Sequence, residues 1–400
     1  MSTVTPTTPA RTRLLLDGTG PDREAHLARY GPLPRPGCVD LLATVQDSGL
    51  TGRGGGGFST AAKVRAVAAG SRRPVVVGNG LEGEPLSAKD AVLLARNPHL
   101  VLDGLELLAR ALRARRAILT LPAEADTTAI GAAAVDRGVE VVPLPGGFVA
   151  GQETALVNQL DGGPAMPQDP FTRVTESGVG GRPTLVLNVE TLAQLALVAR
   201  YGGSWFRSTG TEGDPGSSLF TISGSVRHPG VVEVERGRRL QEVLAVAEPL
   251  EPAAVLVGGY HGAWVPASGL EVRLTDRELA TYDASVGAGV LHVLDDSVCP
   301  LARAAEIVDY LASESAGQCG PCLNGLPRMA DDLRRLATGA RDSALPGAIR
   351  RMSRLVTGRG ACAHPDGSAR FVASTLDVFR GHVAAHLEGW CPSEQRRAVS

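Results

Sequence analysis

A run of glycines next to two cations is the first feature of this sequence that could carry chemistry. Residues 52–57 contain five glycines and Arg53, and Lys63 follows a few residues later. Backbone N–H groups of such loops converge on phosphates, and nearby cations strengthen the binding. The same run is also typical of a flexible turn, because no clear strand precedes it. A phosphate site and a plain turn are therefore both open interpretations.

Three cysteines form the second candidate site. Cys319 and Cys322 lie three positions apart in a glycine–proline turn, and Cys362 follows some 40 residues later. Six cysteines in 400 residues are too few for a disulfide scaffold, whereas this clustering favours a metal. An iron–sulfur centre, zinc completed by His364, and ordinary core cysteines are the three interpretations that this pattern allows.

Polar side chains follow predicted strands or begin predicted helices at three further places. One group comes directly after the buried run 75–77, at the strand end where open α/β sheets bind ligands. Side chains at such positions either contact a cofactor or cap the next helix, and the pattern alone does not separate the two. The residues are Asn79, Glu82 and Glu84, then Gly151, Gln152, Glu153 and Thr154, and finally Asn188 and Thr191.

Lysine is rare in this chain. Of the 40 basic residues, only Lys63 and Lys89 are lysines and the rest are arginines. A compact ammonium fits a small space near an anion better than a guanidinium does. The alternative is that both lysines lie on the surface and were retained by chance. The sequence around each lysine has to separate these two interpretations.

The elements that would position these residues change in type along the chain. Helices alternate with buried strands over 41–215, which predicts an α/β layer domain. Strand, turn, strand and helix over 216–275 predict a small α+β module. Residues 296–390 are predicted to be mostly helical. Residues 1–40 are predicted to form an N-terminal arm, the first 20 of them loose.

Charge and hydropathy exclude several classes of protein. The 40 basic and 42 acidic residues nearly cancel and are interspersed, so neither nucleic acid nor a polybasic membrane contact is predicted. No run approaches 18 apolar residues, and the first residues lack the features of a signal peptide. The expectation is a cytoplasmic protein of two or three domains that does not insert into a membrane.

Taken in order, these segments resemble the flavin-bearing, NADH-binding subunit of respiratory complex I and its soluble relatives in hydrogenases and formate dehydrogenases. The family's glycine motif GRGGxGFPTGxK is matched in most positions by 52–63, and its NADExEPGxxKD motif in part by 79–90. Its GEETAL, PTxxNNVETL and ESCGxCxPCxxG motifs resemble 151–156, 183–192 and 314–325. Both lysines of the chain fall on lysine positions of these motifs. The resemblance spans roughly 40–390.

The resemblance implies a Rossmann-like domain for FMN and NAD(H), a ubiquitin-like soluble-ligand-binding module and a C-terminal helical bundle with an iron–sulfur site. Hydride would pass from NAD(P)H to FMN, and single electrons would leave through the cluster. The acceptor would be a thioredoxin-like 2Fe–2S subunit or a ferredoxin, within a hetero-oligomer. The class of activity is an NAD(P)H dehydrogenase.

The same resemblance assigns roles to residues. The FMN phosphate would lie near the glycine loop, Arg53 and Lys63, and the nucleotide near Phe58, Glu84 and Gln152. The full set of cofactor-binding residues is Gly52, Arg53, Gly54, Gly55, Gly57, Phe58, Lys63, Asn79, Glu82, Glu84, Gly151, Gln152, Glu153, Thr154, Asn188 and Thr191. The metal ligands are Cys319, Cys322 and Cys362.

Five departures from the family's pattern lie in stretches that are expected to contact cofactor or cluster. Leu81 replaces an aspartate, Leu187 an asparagine, Gln152 a glutamate, Phe148 a tyrosine and Ala316 the first cluster cysteine. Most of these changes remove a polar or ligating group. The alternative function is therefore a non-catalytic paralogue that is retained as an assembly or scaffold subunit with degenerate sites.

The missing cysteine matters most for the cluster. Because Ala316 cannot ligate, a 4Fe–4S cluster would need another ligand for one iron, or would lose that iron and become a labile 3Fe–4S cluster. Cys299 and Cys391 are candidates for a replacement ligand, although each is more typical of an ordinary cysteine.

Overall fold

The computed structural model describes residues 15–168 and 171–397. Its helices are α1 (Arg23–Tyr30), α2 (Cys38–Ser48), α3 (Thr60–Ala68), α4 (Lys89–Arg96), α5 (Pro98–Ala111), α6 (Thr128–Val135), α7 (Glu153–Leu160), α8 (Val189–Tyr201), α9 (Gly203–Arg207), α10 (Leu240–Leu244), α11 (Asp276–Leu279), α12 (Pro300–Ser313), α13 (Leu326–Ala337), α14 (Leu345–Val356), α15 (His364–Val378), α16 (Arg380–Leu387) and α17 (Pro392–Arg397). Its strands are β1 (Val75–Asn79), β2 (Arg116–Pro122), β3 (Val139–Leu144), β4 (Thr184–Asn188), β5 (Ser217–Gly224), β6 (Gly230–Glu235), β7 (Pro252–Val257), β8 (Ala263–Pro266) and β9 (Val290–Asp295).

The first four strands form a parallel sheet with helices on both faces. Its order is β3-β2-β1-β4. Val76 packs in the same apolar core as α5 and α8, while its neighbours Val75 and Val77 point to the other face and pack with α7. A strand buried on both faces explains the continuous valine run. The predicted Rossmann-like α/β domain is confirmed.

The order of this sheet creates a crevice between β1 and β4. The chain proceeds outward from β1 through β2 to β3 and then returns to the other side of β1 to form β4. Asn79 and Asn188, the last residues of β1 and β4, lie opposite each other in register. Ligands of open α/β sheets bind at such a reversal, beyond the carboxyl ends of the strands.

The second sheet is mixed and has the order β6-β5-β9-β7-β8. β5 and β9, the first and last of these strands along the chain, pair in parallel. β5 also forms an antiparallel hairpin with β6, and β9 pairs on its other side with β7 of the antiparallel β7–β8 hairpin. This arrangement agrees with the ubiquitin-like module. The central strand β9 lies beyond residue 275, so the boundary predicted there leaves out one strand. Its apolar run follows a glycine-rich turn and is separated from β8 by more than twenty residues, which hid the pairing.

The remaining chain, from α12 onward, forms a helical region with its own core. Leu301, Leu326, Met329 and Phe371 are buried there, together with Cys322. One π-helical turn, Pro321–Gly325, joins the cysteine turn to α13. This helical region was predicted. In the described part of the chain, no helix is long and apolar enough to cross a membrane.

The N-terminal segment is packed rather than loose from residue 15 onward. The side chain of Leu15 is completely buried, and its backbone N–H donates to Glu233 Oε2 at 3.0 Å. α1 then packs through His26, whose Nε2 lies 2.8 Å from Asp103 Oδ2. The expectation of a loose arm is therefore wrong for 15–20, because Leu15 fills the main core, while residues 1–14 lie outside the described part.

Candidate functional site: a flavin-type cavity beside a cysteine turn

The glycine loop is a tight turn that leads into α3. Gly52 N–H donates to the carbonyl of Phe58 at 2.8 Å and closes the loop. Gly55 and Gly57 have φ values of +100° and +61°, which favour glycine. A Cβ on Gly54 would lie 3.1 Å from that of Asn188 at the end of β4. The glycines therefore let the loop bend across the crevice between β1 and β4.

A cavity of about 570 Å³ opens at this crevice. It has the size of a site for a cofactor. Fourteen of the sixteen predicted cofactor-binding residues line it, namely Gly52, Gly54, Gly55, Gly57, Phe58, Lys63, Asn79, Glu82, Glu84, Gly151, Gln152, Glu153, Asn188 and Thr191. The structure thus brings together four separate sequence motifs around one space.

Arg53 does not face this cavity. Its guanidinium is buried and donates to Thr51 Oγ1 at 3.0 Å and to the carbonyl of Pro215 at 3.2 Å. Burial and the charge of Arg236 lower the pKa of Arg53 to about 10. The predicted contact between this guanidinium and a phosphate therefore needs correction. Its backbone N–H, held at 2.9 Å by Thr191 Oγ1, fixes the loop instead.

Gln152 and Thr154 begin α7. Gln152 Oε1 accepts the backbone N–H groups of Thr154 and Ala155, both at 2.9 Å, and the hydroxyl of Thr154 at 2.7 Å. An amide oxygen thus caps the helix where the family has a carboxylate. Thr154 does not line the cavity, because its hydroxyl is used within this cap, so its predicted place at the cofactor is also corrected.

Lys63 lines the cavity, as do Lys89 and Arg370. Its Nζ lies 2.9 Å from Glu153 Oε1 and 3.4 Å from the carbonyl of Val186. About a quarter of the side chain is exposed. The ammonium is therefore partly neutralised by Glu153 but remains accessible to a phosphate.

Lys89 also borders the cavity, although sequence reasoning did not include it among the site residues. Its buried Nζ contacts Asp90 Oδ1 at 2.6 Å and Glu190 Oε2 at 3.1 Å. Burial opposes the charge, yet these two carboxylates hold the pKa of Lys89 above its usual value. Asn188 Nδ2 donates to Asp90 Oδ2 at 2.5 Å, so the network fixes the end of β4. The rarity of lysine was the available signal.

Two glutamates on the loop after β1 are almost fully occupied by backbone donors. Glu82 caps α4 through the N–H groups of Asp90 and Ala91 at 3.1 and 3.2 Å, and burial together with the charge of Asp90 raises its pKa. Glu84 Oε2 accepts the N–H of Tyr260 at 2.8 Å. Burial raises the pKa of Glu84 to about 7. Glu84, one of the acids that border the cavity, therefore keeps its proton to a higher pH than an ordinary glutamate does.

The three predicted metal ligands also meet in space. Burial opposes ionisation of Cys319, but N–H groups of Ala361 and Cys322 donate to its sulfur and lower its pKa. Burial and the charges of Cys319 and Cys362 raise the pKa of Cys322 to about 12. Burial raises the pKa of Cys362 as well. The thiols thus sense one another's charge, and backbone donors to sulfur are a feature that stabilises cluster thiolates.

This arrangement fits an iron–sulfur cluster better than zinc with His364. His364 Nε2 lies 2.8 Å from the carbonyl of Leu311 and Nδ1 lies 3.1 Å from His261 Nε2, so both ring nitrogens are used elsewhere. Cys299 and Cys391, considered as replacements for the missing fourth ligand, group with His386 instead. Three cysteines are therefore what the described chain presents to a cluster at this turn.

The cavity reaches the cysteine turn. Cys362 and His364 line the same space as the glycine loop, and so does His261 from the second sheet. The α/β domain, the module and the helical region all border it. A Rossmann-like layer with a glycine loop at its reversal point, next to a three-cysteine turn, defines an FMN-binding iron–sulfur protein.

Comparison with known proteins agrees with this class. Residues 45–197 match the family model of the Nuo51 FMN-binding domain, and residues 302–386 match the NADH-ubiquinone oxidoreductase-F iron–sulfur binding region. The F 2 subunit of NADH-quinone oxidoreductase from Rhizobium meliloti is 31% identical over 376 residues, which cover 87% of this chain and 89% of that protein. The F subunit from Mycobacterium bovis is also 31% identical, over 90% of this chain and 87% of its own length. The chain belongs to the family of NADH-quinone oxidoreductase F subunits.

A solved structure supports the same assignment. The chain is similar, with a TM-score of 0.82 and 31% identity, to a chain of an NAD⁺-reducing [NiFe]-hydrogenase in its H2-reduced state. The similarity covers 88% of this chain but only 63% of the hydrogenase chain. The chain thus spans less than two thirds of that relative. The predicted family, fold class and cofactors FMN and iron–sulfur cluster are confirmed.

Proposed function

We propose that this chain is the electron-input subunit of a hetero-oligomeric NADH dehydrogenase. One observation carries the proposal: a single cavity is bounded by the glycine loop, by the polar ends of β1 and β4, and by Cys362 of the cysteine turn. FMN bound there would take a hydride from NADH and release its two electrons singly. Neither the site nor the comparisons favour the alternative of a non-catalytic scaffold.

The residues around the cavity have separate tasks in this proposal. Lys63 and the N–H groups of the glycine loop bind the FMN phosphate, since the Lys63 ammonium is partly exposed and the glycine amides carry no side chains. The buried Lys89 network holds Asn188 at the flavin edge. Phe58, 69% exposed at the mouth, offers a face to the adenine. Cys319, Cys322 and Cys362 hold the cluster.

The electron acceptor of this chain is proposed from the complexes to which its relatives belong. Two matched relatives are named as subunits of NADH-quinone oxidoreductase, and a third is part of an NAD⁺-reducing hydrogenase. We propose a thioredoxin-like 2Fe–2S subunit or a ferredoxin as the electron acceptor of this chain. A test is the NADH-driven reduction of an added 2Fe–2S ferredoxin by the chain reconstituted with FMN, iron and sulfide. No reduction above the rate of free FMN would contradict the proposal.

Phe58→Ala is expected to weaken nucleotide binding severalfold and to leave FMN binding unchanged. A stacked aromatic contact contributes about 1 kcal/mol, and the Phe58 ring is 69% exposed and free to make one. Titration of NADH into the FMN-loaded variant measures the first part, and fluorescence of released FMN measures the second. Phe58→Tyr keeps the ring and serves as the control. Equal NADH affinity in all three proteins would remove Phe58 from the site.

NADPH is expected to reduce the flavin with a kcat/KM within about tenfold of that for NADH, because Gln152 carries no charge. Gln152→Glu would keep an oxygen for the cap of α7 and add a carboxylate that repels the extra phosphate. The variant should lower kcat/KM for NADPH severalfold more than for NADH. A native protein whose flavin is bleached by NADH but not by NADPH would contradict the prediction.

NADH affinity is expected to fall as the pH rises through about 7. The pKa of Glu84 is raised to about 7, so its carboxyl is mostly neutral below that pH and charged above it. Since the carboxyl borders the cavity, its charge repels the nucleotide diphosphate. The dissociation constant measured between pH 6 and 8 should rise in the native protein and stay flat in Glu84→Gln. Parallel curves would show that another group titrates.

A further inference from the structure

Two cysteines that the cluster does not use lie next to a buried histidine. Cys299 Sγ is 3.4 Å from His386 Nε2, and the ligand atoms of Cys299, His386 and Cys391 all lie within 4.8 Å of one another. His386 and Cys391 are 3% and 8% exposed, and Cys299 is partly buried. These three residues, called the C-terminal triad below, are separate from the flavin cavity and from the three cysteines of the cluster turn.

From this cluster of side chains we infer that the chain binds one zinc ion through Cys299, His386 and Cys391, with the fourth position open to water or to His382. Two thiols and one imidazole are a ligand set that zinc prefers. Binding would convert both thiols to thiolates and release two protons for each zinc ion. Neither the family models nor the proposed electron path assigns a role to these residues.

The distances agree with a tetrahedral ion. Bond lengths of about 2.3 Å to sulfur and 2.05 Å to nitrogen place a sulfur and a nitrogen ligand roughly 3.6 Å apart, and two sulfurs roughly 3.8 Å apart. The observed sulfur–nitrogen distance is 3.4 Å. A hydrogen bond alone would explain that pair. It would not explain a second, buried thiol in the same group, which is why the triad points to a metal.

The backbone around the triad is held independently of any metal. Cys299 directly precedes α12, and its sulfur accepts the N–H of Ala302 at 3.5 Å, so the first turn of the helix fixes its position. Ser393, beside Cys391, donates its hydroxyl to the carbonyl of Val298 at 3.2 Å. The loop before α12 and the turn after α16 are therefore already docked. A preorganised site loses less conformational entropy on binding.

His382 is the protein group that we consider for the fourth position, although it lies outside the group of ligand atoms within 4.8 Å of one another. It lies one turn before His386 on α16, so the two share a helix face. The two imidazoles also interact electrostatically. Asp296, in the same loop as Cys299, forms an ion pair with Arg396 and is thereby occupied.

Elemental analysis of the full chain tests the site. The chain is expressed with zinc, reconstituted anaerobically with iron, sulfide and FMN, and dialysed. About one zinc per chain is expected beside the iron. Cys299→Ser, His386→Ala and Cys391→Ser should each weaken zinc binding by at least the 10- to 100-fold that loss of an outer-shell partner causes. Cys38→Ala, which removes a partly buried cysteine from α2, is the matched control and should keep the zinc.

Two further measurements keep the result decisive. FMN affinity should be unchanged in all four variants, which shows that they fold, since none of these residues borders the cavity. In a background lacking Cys322, cobalt should give sulfur-to-metal charge-transfer absorption that disappears in Cys391→Ser. The proposal is overturned if the native chain holds no zinc, if the triad variants retain as much as Cys38→Ala, or if Cys299 and Cys391 are joined by a disulfide.

Discussion

Lys63→Ala is expected to weaken FMN binding by roughly 10- to 150-fold, which corresponds to the 1.5–3 kcal/mol of a charge-assisted hydrogen bond. Lys63 lines the cavity and follows the glycine loop in the chain, and its removal also leaves Glu153 without its 2.9 Å partner. An unpaired carboxylate would repel the phosphate and add to the loss. Fluorescence quenching of FMN measures the dissociation constant.

Two control variants separate the effect of the Lys63 charge from an effect on folding. Arg65→Ala removes a cation from the same helix, one that bonds to Gln46 on the surface and does not border the cavity. FMN affinity should stay as in the native protein. Lys63→Arg keeps the charge but carries a larger guanidinium, so it should recover only part of the binding. The assignment of the phosphate site would be wrong if Lys63→Ala bound FMN as tightly as Arg65→Ala.

Cys322→Ala is expected to abolish the iron–sulfur cluster and lower the rate of one-electron transfer at least tenfold, an effect no smaller than loss of an outer-shell partner. Cys322 is buried beside Cys319 and Cys362, so no solvent ligand easily replaces it. Flavin reduction by NADH should persist, because Lys63 and the glycine loop are untouched. Iron and sulfide analysis with electron paramagnetic resonance measures the first effect, and ferredoxin reduction measures the second.

Measurements on the native chain would contradict the cluster interpretation in the following case. Absence of iron after anaerobic purification, together with alkylation of the partly exposed Cys319 and Cys362, would show that the electron exit is missing. Because Ala316 supplies no ligand, exposure to oxygen should convert the native cluster to a 3Fe–4S form. Ala316→Cys should slow that conversion.

The sequence predicted the parts of the site that depend on local pattern. The valine run of β1 marks a buried strand, and Asn79 lies at its carboxyl end, where the pattern predicts a ligand site. The motif resemblance grouped distant segments that no local pattern connects. The three cysteines of the cluster turn, Cys319, Cys322 and Cys362, were already grouped as one candidate site by their spacing.

Side-chain direction and long-range pairing could not be predicted from the sequence. Arg53 points away from the cavity because Thr51 and Pro215 bind its guanidinium. The central position of β9 depends on its parallel pairing with β5, some seventy residues earlier. The triad of Cys299, His386 and Cys391 has no recognisable spacing, since its members are up to about ninety residues apart.

Anaerobic titration of the FMN-reconstituted chain with NADH tests the central claim most directly. If this chain takes hydride from NADH at the cavity between β1 and β4, the flavin absorbance near 450 nm should bleach with one equivalent of NADH per FMN. At FMN concentrations that saturate only the native protein, Lys63→Ala should hold little FMN and should therefore show no bleaching. A folded chain that binds FMN but keeps its full flavin absorbance in excess NADH, or one that binds no FMN, would contradict the account.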